Sequence, residues 1–441
     1  MTGERMSTDN PSSVTIQTDA SPIPSVPAWF GEVTLLAHAL TRLGLLSEIS
    51  ERVRFARKRF GIFEVIDFVV VLMGYAISGE PTLKAYYERL QPFAPAFMAL
   101  FGRSQLPHRS TLSRFLAALD ETSVEALRSV FLQDALARLG PKADVGGLWD
   151  RQGNRWIVFD LDGTRQAARQ RALPQGPDLP PPQRRLSAVC APGYTGRKRG
   201  EVVRTRTTLL QAHTHQWLFT GGGAGNGDYR GELLRGLSVI VAYQTALGLL
   251  PTQALVRLDG LYGDGAIVVD LIAAGVCFVM RGKDYALLDL TQVKERLALP
   301  ADEQFTHPES GTCRNLFDCG QMPVTAQGQH ARLIVATHQA ATSPIGVTRD
   351  QCVYELFFTA LPAAGFTAAD VVKLYLHRGS FETVLTDEDR EQDSDRWSSY
   401  AVHGQEVWQI LSQWVWNLRQ ELSQQWQPTS MRLTEFSPPS N

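Results

Sequence analysis

The residues that could do chemistry here are carboxylates. In Trp156-Ile-Val-Phe-Asp-Leu-Asp162, an apolar run that reads as a buried strand, Asp160 and Asp162 fall on one face because side chains alternate along a strand. Asp259 follows a second such run, in Arg257-Leu-Asp-Gly-Leu-Tyr-Gly-Asp-Gly. Sites in open α/β sheets gather at strand ends. If the two strands are neighbours, Asp162 and Asp259 meet, and two carboxylates forced together favour a hard dication such as Mg²⁺. Later, Tyr375, Arg378 and Glu382 are spaced three and four apart, so a helix would carry them on one face. Glu382 would complete a three-carboxylate site, and Arg378 would orient it or hold a phosphate oxygen with its planar fork. Three acids with open coordination positions suit two-metal phosphoryl chemistry, with two Mg²⁺ or Mn²⁺ ions. The bland reading is that Asp-Gly pairs form turns and that Arg378–Glu382 is a surface ion pair.

These residues need a scaffold, and the chain predicts one. Residues 1–27 are rich in Ser, Thr and Pro, and read as a disordered tail. Residues 28–140 carry apolar positions at three and four spacings and read as an all-α region. Within it, Ser110 is the expected N-cap of a short basic helix with Arg109 and Arg114 at its start, a helix of a size to enter a DNA groove. From 150 to 284 the order reads β-β-β-α-β-α-β. Residues 285–362 form strand-like stretches read as a β-rich insertion, 363–426 return to helix, with a single helix expected from 367 past 385, and 427–441 read as a loose tail.

The bulk numbers constrain the reading. The chain has 441 residues and a formal net charge of −2, so any nucleic-acid contact must come from a local patch. One exists: between 165 and 206 stand ten Arg or Lys against two acids, among them Arg184, Arg185, Arg197, Lys198 and Arg199. The Gly222-Gly-Ala-Gly-Asn-Gly run near Arg230 lacks a P-loop Lys-Ser/Thr, which excludes an ATPase reading. The five cysteines are scattered and read as reduced thiols; Cys313, Cys319, His307 and His330 lack a CxxC pair, so they are not taken as zinc ligands. With no secretory signal and no apolar run long enough to span a bilayer, the expectation is a cytoplasmic protein without membrane contact.

On these motifs the sequence resembles the bacterial insertion-sequence transposases of the DDE type, in the subgroup with a Tyr-Arg-Glu-Lys signature. Asp162-Gly163-Thr164 is similar to the family's first-strand motif, Asp259 to its second Asp, and Tyr375-x2-Arg378-x3-Glu382 to its late-helix motif. The resemblance implies an RNase H-like catalytic core interrupted by a β insertion. It implies cleavage at transposon ends, strand transfer into double-stranded target DNA, and a homodimer on DNA. Aromatics of the insertion, Phe305, Phe317, Tyr354, Phe357 and Phe358, would be candidates to stack a flipped base. One departure stands out: Asp389 occupies the place of the signature's Lys, with Arg390 or Arg396 as possible replacements.

Two alternatives stay open at the level of sequence. Asp160-Leu-Asp162-Gly-Thr also resembles the motif of haloacid-dehalogenase-like phosphatases, with Asp160 as nucleophile, Asp162 as general acid, Asp264 and Asp270 as later acids and Lys198 as the cation. The other is a catalytically dead transposase remnant that only binds DNA.

Overall fold

The computed structural model describes residues 25–55, 61–139, 145–168, 177–178, 188–194, 199–324, 328–339 and 345–426. Its N-terminal part is helical: α1 (Phe30–Arg42), α2 (Leu45–Arg52), α3 (Val65–Ser78), α4 (Leu83–Leu90), α5 (Ala94–Leu100), α6 (Arg109–Ala118) and α7 (Glu121–Ala137). Helix α3 is apolar on every side and buried up to Ile77, so it serves as the centre of the bundle. A capping box between Glu64 and Asp67 starts α3, and Gly79, at φ 64°, ends it in the left-handed conformation. Gly74 is needed where it stands, because a Cβ there would lie 2.4 Å from the Tyr86 hydroxyl of α4. The cap of α6 differs from expectation. His108 is the N-cap, its ring accepting from the Ser110 amide at 3.2 Å, and Ser110 lies inside the helix.

The rest is a large mixed sheet with helices. In chain order the elements are β1 (Leu148–Trp149), β2 (Arg155–Ala167), β3 (Ala191–Tyr194), β4 (Arg199–Gln211), β5 (Gln216–Ala224), α8 (Tyr229–Ala246), β6 (Ala254–Leu258), α9 (Gly265–Ala274), β7 (Cys277–Arg281), α10 (Thr291–Ala298), β8 (Glu303–Thr306), β9 (Cys313–Pro323), β10 (His330–Gln339), β11 (Val347–Arg349), β12 (Cys352–Thr359), α11 (Ala368–Leu376), α12 (Gly379–Glu391) and α13 (Val402–Trp426). Elements β2, β4, β5, α8, β6, α9 and β7 reproduce the expected order. Strands β2, β6 and β7 run parallel side by side, and β4 lies antiparallel on the other edge of β2. Strand β2 does not end at Asp162. It pairs with β4 as far as Ala167↔Val203, so Asp162-Gly-Thr is strand rather than turn.

Residues 285–362 do not fold apart from this sheet. β12 pairs antiparallel with β7, and β10, β9 and β8 follow outward, so the sheet continues through them. Leu333, Val335, Leu356 and Phe358 enter the same apolar core as Phe159 and Val256. Phe317, Phe357 and Phe358 are therefore core residues, and Phe305 lies 5.5 Å beneath the Lys373 ammonium. Helix α13 joins the two parts: its Trp408, Leu411, Trp414, Val415 and Leu418 share one core with α3, with Trp217 of β5 and with Phe381 of α12. Among the described residues no single helix is long and apolar enough to cross a membrane.

The helix expected from 367 past 385 is broken. Thr367 and Asp370 form a capping box that starts α11, which stops at Leu376. Backbone bonds of three-residue span then tighten the chain: Arg378 N to Tyr375 O, Ser380 N to His377 O and Phe381 N to Arg378 O, each 3.0 Å. Gly379, a poor helix former, opens α12. Tyr375 and Glu382 thus belong to different helices and share no face.

Candidate active site

Strands β2 and β6 are in register with Asp160 opposite Arg257 and Leu161 opposite Leu258. Parallel pairing stops there, and the next residues are Asp162, still paired to Thr208 of β4, and Asp259, the first residue after β6. Asp259 caps the short helical turn Gly260–Tyr262, accepting the Leu261 amide at 2.7 Å, which fixes its carboxylate at the strand end. Asp162 accepts the Gly163 amide at 2.7 Å and an ion-paired hydrogen bond from Arg378.

Burial pushes the Asp162 carboxyl up to about 6, with Asp259 and Glu382 adding to the rise and Arg378 and the Gly163 N–H opposing it. Burial is the main cause, and the Arg378 guanidinium opposes it more strongly than either Asp259 or Glu382 adds to it. Arg378 itself stays charged: burial opposes its ionisation, but Asp162, Asp259 and Asp160 outweigh that and raise its pKa. Its Nε is buried without a hydrogen-bond partner among the described residues. Hard carboxylate oxygens, an excess of negative charge and partial burial suit Mg²⁺ or Mn²⁺.

The arrangement is not a formed cage. Glu382, in the first turn of α12, is exposed, and among the described residues no three His, Cys, Asp or Glu side chains converge closely enough to hold one ion. Asp162, Asp259 and Arg378 are brought together, and Glu382 stands at the rim within electrostatic reach of Asp162. Tyr375 is packed edge-on against Phe357 at 5.1 Å, with the Arg281 guanidinium 5.3 Å from its ring centre, so it anchors α11 on β12.

The alternative sites fare differently. Asp160 is fully buried and both of its oxygens accept from Arg257 at 2.7 Å, so it has no free oxygen to act as a phosphatase nucleophile. Asp264 caps α9, and Asp270 pairs with Arg230, whose side chain is half exposed. The glycine run serves close backbone approach: a Cβ on Gly222 would lie 2.1 Å from Thr205 O. In β9, Cys319 is buried and Cys313 exposed, six residues apart along the strand.

Of the candidate DNA contacts, Arg109 is exposed, and Arg114 is exposed but folds back onto Ser110 O at 3.1 Å. Arg184, Arg185, Arg197 and Lys198 lie outside the described residues, and Arg199 begins β4. Arg204 and Arg206, counted in the basic stretch, point inward and are fully buried. Asp389 sits before the end of α12; loss of hydration, then Asp395 and Glu388, push its carboxyl up to about 7 although the residue is exposed. Arg396 cannot replace the missing lysine, because it stacks on Tyr75 at 4.7 Å and Trp408 at 5.7 Å.

The structure adds two buried ion pairs, Asp160–Arg257 and Arg206–Glu388. A signal for the first was present: one charge inside each of two apolar strands, each two residues before a candidate acid.

No protein-family model matches the sequence, and no curated protein matches it. Among solved structures, the chain is similar to a piggyBac transposase synaptic complex with hairpin DNA, at 12% identity and a TM-score of 0.43, over 90% of this chain and 77% of that one.

Proposed function

We propose that the protein is a DDE transposase of a bacterial insertion sequence, with an RNase H-like core whose acids are Asp162, Asp259 and Glu382. The observation that supports this reading is the meeting of Asp162 and Asp259 where the parallel pairing of β2 and β6 stops, with Arg378 reaching the Asp162 carboxylate from the start of α12. Divalent cations held by these acids would supply the charge that activates a nucleophile and stabilises a leaving oxygen. Water attacks a phosphodiester at the transposon end, its proton leaving to solvent or a nearby carboxylate, and frees a 3′-hydroxyl. That hydroxyl then attacks target DNA in a transesterification. No nucleotide cofactor is consumed, because one phosphodiester replaces another. Arg378 holds Asp162 ionised and, as a charged group beside it, would offset charge that develops on the phosphate. Double-stranded DNA is the partner, bound by Arg109 and Arg114 of α6 and by Arg184, Arg185, Arg197, Lys198 and Arg199. Pairing two ends requires a homodimer on DNA.

The test is nicking of duplex DNA bearing the sequences that flank the gene, with Mg²⁺ and with a chelator, for wild type and Glu382→Ala. Metal-dependent nicking lost in Glu382→Ala is expected. Specific binding of those ends without nicking would favour the DNA-binding remnant, to which Asp389 points.

A further inference from the structure

Helix α12 carries the least constrained of the three acids, yet the helix itself is held at both ends. Arg378 ties its start to Asp162 of β2. Further along it, Phe381, Val384, Leu385 and Glu388 form its buried face. Glu388 is the unusual member, a carboxylate with no exposure, accepting both hydrogen bonds of one Arg206 Nη2 at 3.0 Å. Arg206, also without exposure, gives its other terminal nitrogen to Asp395 at 3.0 Å. Ser394 Oγ donates to Glu388 at 2.7 Å, and Gln166 of β2 donates to the Asp395 carbonyl at 2.8 Å. Arg206 lies on β4 opposite Thr164, two residues beyond Asp162 on the paired strand.

A pair this deep is a poor source of stability, since apolar side chains of similar volume often do as well or better. What it provides is a specific placement, because one guanidinium shared between the Glu388 carboxylate and Asp395 ties α12 and the residues after it to β4 by directional hydrogen bonds, which an apolar contact does not supply. We propose that Arg206 and Glu388 are positioning residues: their buried pair locks α12 to the strand beside Asp162 and so sets where Glu382 stands relative to Asp162 and Asp259. This rests on the transposase reading of those three acids.

The test is Mn²⁺ binding to the full chain followed by electron paramagnetic resonance, together with thermal melting. The proteins are wild type, Glu382→Ala, and the double variant Arg206→Met with Glu388→Leu. The double variant is expected to melt no earlier than wild type and to bind Mn²⁺ about 10- to 100-fold more weakly, the usual scale for losing a residue that orients a ligand. Wild-type affinity in a stable double variant, alongside weakened binding by Glu382→Ala, would overturn the positioning role and leave the three-acid reading standing. No binding by wild type, or equal binding by Glu382→Ala, would overturn both. Should the double variant melt early, Glu388→Gln, which keeps the shape but loses the charge and one of the two acceptor oxygens that face Arg206, decides on the same terms.

Discussion

Arg257 donates two hydrogen bonds of 2.7 Å to the Asp160 carboxylate, joining two fully buried side chains that face each other across β2 and β6. Each lies two residues before an acid of the candidate site. The pair therefore pins the register of the two strands one step beneath Asp162 and Asp259, and Arg257 also donates to Leu374 O at 3.3 Å, which draws α11 to the same place.

The consequence is a stability test. Asp160→Asn leaves the Arg257 charge buried without its partner, and loss of one member of such a pair costs about 3–5 kcal/mol. Urea denaturation should register that loss, whereas Asp162→Asn, which removes charge from a crowded acidic site, should not. A phosphatase nucleophile at Asp160 would give the opposite pattern, full stability and lost phosphatase turnover.

Arg378 is the one cation reaching Asp162 in the described structure. Arg378→Gln removes the group that holds Asp162 ionised and a donor for developing charge. Cleavage should fall by at least about 100-fold, the scale for losing one preorganised donor, while binding of the DNA ends persists. Cleavage within a few fold of wild type would remove Arg378 from the chemistry.

His213 sets an acid limit on stability. Its Nε2 accepts the Val158 amide of β2 at 2.9 Å, which needs the neutral ring. Burial first, then Arg257 and Arg155, push its pKa down to about 3. The unfolded ring titrates near 6.5. Between those values the unfolded state binds more protons, so stability is complete above pH 6.5 and falls with pH, by up to about 1.4 kcal/mol per unit. Denaturation of His213→Gln, whose amide oxygen can accept the same bond, should show a shallower acid branch than wild type between pH 6 and 4. Parallel acid branches would sink the assignment.

Arg109 and Arg114 are exposed on α6. If both meet phosphate, their double alanine variant should lower the slope of log affinity against log salt by roughly 2. An unchanged slope would place DNA elsewhere, with the basic residues 184–199 as the next to test.

Much of the scaffold is legible in the sequence because its strands are short apolar runs with clear ends. The strand Ala254–Leu258 and the helix Gly265–Ala274 take their places in the order read from the sequence. The misreadings have physical causes. Asp162-Gly-Thr looks like a turn, but β4 pairs through it, so tertiary pairing outweighs local turn chemistry. The break at His377–Arg378 is hidden because Tyr375, Arg378 and Glu382 fit an unbroken helix, and only the pull of Arg378 toward Asp162 with Gly379 behind it favours two helices. Residues 285–362 look self-contained because their alternation satisfies a sheet of its own, and nothing local reports that β12 pairs with β7. Arg204 and Arg206 look like part of a basic surface, while their partners, Glu406, Glu388 and Asp395, lie about 180 to 200 residues away.

On the proposed function, Asp162 and Asp259 act together on a phosphodiester. The direct measurement is the rate and product of cleavage on linear duplex DNA carrying the element's ends in Mg²⁺, with wild type beside Asp259→Asn. Wild-type cleavage should leave a 3′-hydroxyl and need the metal, and the variant should cleave at least about 100-fold less. Equal cleavage by both proteins, or none by a wild type that neither binds nor cuts the ends, would contradict it.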